Sequence, residues 1–206
     1  MIAIIDYGAG NLQSVHNALN FIGAQNTIVS DVKNILSAEA VILPGVGSFG
    51  AAMNEINKRG LADAIKTAAR SGKPFFGICA GMQLLFDESE ESPEVHGLSL
   101  LPGKVKLFPH DKELKVPHMG WNSIKHSKNS RLLGHLPKDS YMYFVHSYYV
   151  SAEKRSDVSA TTEYAVEFDS AVENGNLFGC QFHPEKSGEL GLSIYRRFAE
   201  LAEESK

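Results

Sequence analysis

Residues 73–86 read KPFFGICAGMQLLF, and this stretch predicts a strand, a sharp turn and the start of a helix. The apolar run 74–78 suits a buried parallel strand, and residues 81–86 carry the apolar positions of a helix. Cys79 stands at the junction, between Gly77 and Gly81. Gly-x-Cys-x-Gly has the form of a nucleophile elbow, in which small neighbours let the chain turn tightly beneath a strained residue. A helix starting directly after the turn would favour a thiolate, so the motif suggests a reactive cysteine.

The same motif also fits an inert buried thiol, because free cysteine is among the most buried residue types. A nucleophile requires a base, and eight histidines compete for that role. His183 ends an apolar run, precedes Pro184 and is followed two residues later by Glu185. Proline holds its predecessor extended, so residues i and i+2 project to one side and Glu185 can orient the imidazole. Cys79, His183 and Glu185 are therefore the predicted nucleophile, base and orienting carboxylate.

Other histidines and the second cysteine have simpler interpretations. His118 and His146 lie in segments rich in aromatic residues, where buried or interface histidines are the ordinary expectation. Cys180 lies within an apolar strand without a turn or a following helix, so we expect it to be structural.

Composition limits the possible function classes. The chain has 206 residues, 43% hydrophobic and 21% charged, which fits one globular domain over residues 1–206. The net charge of −4 gives no basic field for nucleic acid or an anionic membrane. A strand-like start without a basic leader, no stretch of transmembrane length and only two cysteines favour the cytoplasm.

The order of segments predicts an α/β fold. Strands at 2–5, 27–29 and 40–43 alternate with helical patterns, the first of them over 12–22. This alternation predicts a central, mostly parallel sheet flanked by helices. The shorter β-like segments from residue 98 onward predict added antiparallel strands in the C-terminal half, before a closing helix over 189–203. The acidic run 87–94 is most simply a solvated loop.

Residues 44–50 read PGVGSFG and contain a literal G-x-G-x-x-G after a predicted strand. A dinucleotide site would also need an acidic residue about 20 positions on, at the end of the next strand. Asp63 is nearest to that distance, but its neighbours have a helical pattern and the next strand begins only at residue 74. A glycine loop beside a nucleophile can instead supply amide donors for an oxyanion.

Together, GICAGMQLL at 77–85 and QFHPE at 181–185 resemble the class I glutamine amidotransferases. Five further stretches resemble the glutaminase subunits of imidazole glycerol phosphate synthases within that class: DYGAGNL (6–12), PGVGSFG (44–50), VPHMGWN (116–122), YFVHSY (143–148) and HPEKS (183–187). The resemblance spans nearly the whole chain. Ala80 departs from it, because leucine is common at that position; the backbone amide matters more than the side chain there, so the change affects local packing more than catalysis.

The resemblance implies hydrolysis of glutamine to glutamate and ammonia, with no metal or cofactor. The ammonia would pass to a (βα)8-barrel cyclase subunit in a heterodimer of histidine biosynthesis. Ala80, Val46 and Gly47 would form the oxyanion hole, and Gln83 and Gly45 would bind the substrate. The implied partner surface includes Asn11, Trp121, Tyr143 and Lys186, although a buried core position is the alternative for Trp121.

Glycines permit a peptide flip, so we also expect the 45–47 loop to be non-productive until the partner and its ligand bind. Three other functions remain open from the sequence. They are a glutaminase serving pyridoxal phosphate, anthranilate or guanylate synthesis, a non-catalytic regulatory module on the same scaffold, and a stand-alone cysteine hydrolase.

Overall fold

The computed structural model describes residues 1–110 and 114–205. The N-terminal half contains β1 Ile2–Ile5, α1 Leu12–Phe21, β2 Asn26–Val29, α2 Val32–Ser37, β3 Ala40–Gly45, α3 Phe49–Lys58, α4 Ala62–Arg70, β4 Phe75–Cys79, α5 Ala80–Gln83 and β5 Glu88–Ser89. The C-terminal half contains β6 Gly103–Leu107, β7 His118–Ser123, β8 Lys125–His126, β9 Tyr141–His146, β10 Tyr148–Ala152, β11 Val158–Tyr164, β12 Val166–Asn174, β13 Leu177–Cys180 and α6 Gly188–Glu204. Short 3-10 turns cover Arg155–Asp157 and Pro184–Lys186.

Eleven of the strands within the described residues form one mixed sheet. Its order is β2-β1-β3-β4-β13-β12-β10-β6-β5, with β11 paired to β12 and β8 paired to β11. The pairs from β2 through β13 are parallel, whereas β13, β12, β10 and β6 follow one another antiparallel. The predicted fold class, a mostly parallel core with antiparallel strands added in the C-terminal half, is confirmed.

The parallel strands are buried on both faces, which explains their continuous apolar sequences. One hydrophobic cluster lies on the side of α1 and α6, and a second lies on the side of α3 and α4. The remaining strands, β7 and β9, form a separate antiparallel pair in which His118 is opposite His146 and Trp121 is opposite Tyr143.

The helix predicted over 81–86 is wrong in length, because α5 is a single turn, Ala80–Gln83. The chain leaves the helix because the carbonyls of Leu84 and Leu85 accept hydrogen bonds from Leu98 and Leu100, at 2.8 Å each. Such a short helix has almost no macrodipole, so the helix effect expected from the sequence is largely missing here.

Asp63 lies on α4, as its neighbours indicated, and not at the end of a strand. The glycine loop therefore lacks the acidic partner that a dinucleotide site would use for a ribose. No helix within residues 1–110 and 114–205 is both long and apolar enough to cross a membrane.

Candidate active site

Cys79 occupies a strained turn at the carboxyl end of β4. Its backbone has φ 55° and ψ −115°, in the region that L-residues rarely adopt. Neighbouring glycines make the turn possible: a Cβ on Gly81 would lie 1.9 Å from the Leu43 carbonyl oxygen, and one on Gly45 would lie 2.4 Å from the Gly81 nitrogen. Only glycine allows the elbow to pack this closely against the end of β3, so the sequence motif corresponds to a true nucleophile elbow geometry.

His183 and Glu185 lie beside Cys79. The His183 Nδ1 is 2.8 Å from Glu185 Oε1, and both side chains are almost fully buried, with 3% and 2% exposed. Cys79 is also close enough to His183 to influence the pKa of the imidazole. Because Glu185 occupies Nδ1, Nε2 is the nitrogen available to the sulfur. The structure thus brings the three predicted catalytic residues together in the predicted order.

The surroundings of His183 hold a proton on its ring. Burial lowers its pKa, but hydrogen-bonding and electrostatic interactions with Cys79 and Glu185 raise the pKa to about 10. The imidazolium therefore faces the sulfur at neutral pH. Gln181 adds a further donor, because its Nε2 lies 3.6 Å from Cys79 Sγ.

A second donor reaches the carboxylate from α6. The Tyr195 hydroxyl, which is fully buried, donates to Glu185 Oε2 at 3.3 Å. Burial and the Glu185 charge raise the pKa of Tyr195 well above its usual value, so the phenol stays protonated and remains a donor. Sequence reasoning missed this residue, because the closing helix offered only an apolar pattern at that position.

A cavity of about 270 Å³ opens over Cys79. Its walls come from the elbow, the glycine loop, the acidic run and the segment joining β9 to β10: Val46, Gly47, Cys79, Ala80, Gln83, Glu91, Val145, His146, Ser147, Tyr148 and His183. Ala80, Val46 and Gly47, predicted as the oxyanion hole, all line the cavity, and Gly47 has φ +86°. Gly45 is not among the lining residues, because it packs beneath Ala80 and Gly81.

Gln83 is held rigidly in the cavity wall. Its Nε2 donates to the Tyr148 carbonyl at 3.0 Å and to Gln181 Oε1 at 2.9 Å. Both amide protons are thereby used, which leaves Oε1 to accept a hydrogen bond from a ligand.

The acidic run is not simply a solvated loop, so that prediction was wrong. Glu91 lines the cavity and accepts a hydrogen bond from the Phe49 amide at 2.7 Å, at the start of α3. Ser92 Oγ accepts from the adjacent Gly50 amide at 3.1 Å, and Glu90 accepts from the Leu107 amide at 2.8 Å. These residues satisfy orphan amides far away in sequence, a role that five acids among eight residues do not reveal.

Three of the predicted partner residues meet on the surface. Trp121 is 56% exposed, which argues against the core alternative, and its ring packs edge-on against Tyr143 at 6.2 Å. Lys186 Nζ lies 5.7 Å from the centre of the Tyr143 ring, within cation–π range. Asn11 immediately precedes α1, where its side chain accepts a hydrogen bond from Ser14.

Comparisons with known proteins identify the family. The Glutamine amidotransferase class-I family matches residues 3–200. The chain is 45% identical over 206 residues to the imidazole glycerol phosphate synthase subunit HisH of Listeria monocytogenes serotype 4b, covering 100% of this chain and 98% of the relative. It is 50% identical over 202 residues to the same subunit of Methanothermobacter thermautotrophicus, covering 98% of each.

Solved structures share the fold at lower identity. A structure described as a glutamine amidotransferase superposes with a TM-score of 0.77 at 20% identity, covering 98% of this chain and 100% of that one. PurLQS from Thermotoga maritima gives a TM-score of 0.74 at 21% identity, covering 97% of both chains. The chain therefore belongs to the class I glutamine amidotransferases, as a member of the glutaminase subunits of imidazole glycerol phosphate synthase.

Proposed function

We propose that this chain hydrolyses glutamine to glutamate and ammonia through Cys79, His183 and Glu185. The ammonia then passes to a (βα)8-barrel cyclase subunit, which makes imidazole glycerol phosphate and an aminoimidazole carboxamide ribotide in histidine biosynthesis. The observation that carries the proposal is the buried Cys79–His183–Glu185 arrangement beneath a cavity of about 270 Å³. We place the reaction in the cytoplasm, in a heterodimer and without a metal or cofactor.

The reaction divides into two steps. The Cys79 sulfur attacks the side-chain carboxamide of glutamine, and His183 gives its proton to the leaving nitrogen, so that ammonia departs and a thioester remains. His183 then takes a proton from water, and the resulting hydroxide cleaves the thioester. Glutamate is released, and the Cys79–His183 pair returns to its starting state. Glu185 holds Nδ1–H throughout, which keeps Nε2 directed at the reacting atoms.

Backbone amides of Ala80 and of the loop at Val46 and Gly47 stabilise the oxyanion. Each well-aimed donor is worth roughly 3 kcal/mol of transition-state stabilisation. We also propose that the 45–47 loop is non-productive until the partner and its nucleotide bind. Two features support this: Val46 is 41% exposed, and glycines on either side of it permit a peptide flip.

The cavity wall matches the amino-acid end of glutamine. The Glu91 carboxylate and the Gln83 Oε1, which both line the cavity, are acceptors for the substrate α-ammonium group. Gly45 contributes to substrate binding only through the backbone that it fixes beside the elbow. The docking surface for the cyclase comprises Trp121, Tyr143, Lys186 and Asn11.

The test is glutamate release by the chain mixed with the cyclase subunit of the same genome and its nucleotide substrate. Cys79→Ala should abolish release, whereas the matched variant Cys180→Ala should retain it, because Cys180 is buried in β13 and donates to the Phe182 carbonyl. Turnover that survives Cys79→Ala would refute the mechanism. Turnover that does not respond to this cyclase would favour another glutaminase or a stand-alone hydrolase, and an absence of turnover would favour a regulatory module. Equal rates for the isolated chain and the ligand-bound complex would refute loop gating.

A further inference from the structure

Two buried histidines face each other on the inner side of the β7–β9 sheet. His118 and His146 are opposite in the strand register, and His118 Nδ1 lies 3.0 Å from His146 Nε2. Only 3% of His118 and 7% of His146 are exposed. The His118 ring is stacked between Phe144, at 4.8 Å, and Tyr164, at 4.0 Å. Neither histidine belongs to the catalytic group, but His146 lines the cavity.

The hydrogen bonds around this pair fix the position of every proton. His146 Nδ1 lies 2.8 Å from the Tyr148 carbonyl, which can only accept, so Nδ1 carries the proton and Nε2 is an acceptor. His118 Nδ1 must then donate to His146, which leaves its own Nε2 to accept from the Asn122 amide at 3.3 Å. Donation thus runs in one direction, from Asn122 through both rings to the carbonyl. The same carbonyl accepts from Gln83 Nε2 at 3.0 Å, so both of its lone pairs are used.

Both rings must be neutral for this arrangement to exist. Burial lowers the pKa of His118 to about 4 and that of His146 to about 3, so neither ring carries a charge at pH 7. A neutral imidazole has one donor and one acceptor, as each member of the chain requires.

The opposite side of the same two strands is exposed and apolar. Met119 is 62% exposed, Trp121 56% and Tyr141 58%, and all three alternate with the buried positions of β7 and β9. The two histidines therefore lie on the buried side of the strands whose other side carries this exposed face, and His146 also lines the cavity.

We propose that His118 and His146 are positioning residues for glutamine binding, acting through the Tyr148 carbonyl on the orientation of Gln83. The inference rests on the proposed glutaminase function and extends it to two residues that do not contact the reacting atoms. If His118 cannot donate, the buried Nε2 of His146 loses its donor, and the ring can shift from the position in which its Nδ1–H reaches the Tyr148 carbonyl. The Tyr148 carbonyl loses one of its two donors, and the Gln83 amide loses a fixed anchor.

The test compares two substitutions of His118 in the complex with the cyclase subunit. His118→Phe keeps an aromatic ring in the stack but removes the donor, whereas His118→Asn loses the ring and keeps a donor near the Nδ1 position. A positioning role predicts that phenylalanine raises the KM for glutamine about tenfold, the effect of leaving a buried acceptor unpaired, with kcat within about twofold. Asparagine should raise the KM less, although it packs worse. If His118 only fills space, asparagine should instead raise the KM more than phenylalanine does.

Direct binding provides a second measurement. Titration of glutamine into Cys79→Ala and into Cys79→Ala/His118→Phe should show the same change in affinity without turnover. Tyr164→Phe is the matched control, because its hydroxyl donates to the Lys115 carbonyl and lies outside the chain of donors. An asparagine variant weaker than the phenylalanine variant, or unchanged KM and affinity in His118→Phe, would overturn the positioning role while wild-type turnover leaves the glutaminase proposal intact. A wild-type complex that releases no glutamate would refute the glutaminase proposal itself.

Discussion

Removing the Tyr195 hydroxyl tests whether the catalytic carboxylate needs its second hydrogen bond. Tyr195→Phe deletes one oxygen from a fully buried ring and leaves Glu185 Oε2 without the donor that lies 3.3 Å away. A hydrogen bond to a charged group contributes about 1.5–3 kcal/mol. The distance exceeds the usual 2.5–3.0 Å range for O–H···O bonds, which places this one at about 1.5 kcal/mol.

That free energy corresponds to about a tenfold loss in rate if it is expressed in the transition state. We expect the loss in kcat, because Glu185 stabilises the imidazolium of His183 and keeps its Nε2 directed at the sulfur. The KM for glutamine should not change, because Tyr195 does not line the cavity.

The assay is steady-state glutamate release by the complex with the cyclase subunit at saturating nucleotide, with thermal unfolding measured in parallel. Tyr164→Phe is the matched control, since it makes the same chemical change at a hydroxyl that donates to the Lys115 carbonyl and not to Glu185. A kcat unchanged within twofold in Tyr195→Phe, or a rise in KM alone, would refute the reasoning. A large fall in stability with normal kcat would assign the hydroxyl to folding only.

Two further predictions concern acid stability and association. His118 and His146 have pKa values of about 4 and about 3 in the folded chain, whereas a histidine in the unfolded chain has a pKa of about 6.5. As the pH falls below about 6.5, the unfolded chain therefore binds protons that the folded chain does not. The free energy of unfolding should therefore fall toward acid pH. Urea unfolding at several pH values between 4.5 and 6 should show that this free energy changes less steeply with pH in His118→Phe than in the wild type, by about 1.4 kcal/mol per pH unit. Identical slopes in the two proteins would contradict the lowered pKa of His118. His183 acts in the opposite sense, because its pKa of about 10 makes its contribution present below about 6.5 and lost as the pH rises toward 10. Trp121→Ala should weaken association with the cyclase by about 2 kcal/mol without changing the midpoint of thermal unfolding. The control is Phe21→Ala, which removes a 74% exposed aromatic side chain from α1 and should not affect binding. Loss of folding in the Trp121 variant would contradict its surface role.

The elbow and its base could be predicted from the sequence because short-range geometry determines both. Glycine on each side of Cys79 allows a backbone that other residues forbid, and proline after His183 fixes the direction of Glu185. Neither inference needs to know which strands are neighbours, only that parallel strands end on the same side of the sheet.

The rest of the site depends on contacts between distant segments. Glu91 meets the Phe49 amide across 42 residues, and Tyr195 reaches Glu185 only because α6 packs against the sheet. The histidine chain requires the register of β7 with β9, in which a shift of one residue would turn His118 to the solvent. Local pattern carries no information about such registers, so these residues appear in the sequence as an acidic run, a helix position and aromatic-rich strands.

The strand β9, which carries part of the proposed docking surface, also supports the proposed catalytic base. The main chain of Tyr143 in β9 accepts a hydrogen bond from the His183 amide at 2.9 Å and donates one to Ser187 Oγ at 3.0 Å, while that hydroxyl donates to the His183 carbonyl. The turn that carries His183 and Glu185 is thus hydrogen-bonded to β9. That strand carries the Tyr143 side chain, and Trp121 lies opposite Tyr143 on the neighbouring strand β7. Two hydrogen bonds join β9 to this turn, and the bond from Ser187 Oγ to the His183 carbonyl braces the turn itself. A partner that shifts β9 should therefore also shift His183 relative to Cys79. If both proposals hold, association and catalysis share one strand, and no long pathway between the two sites is required.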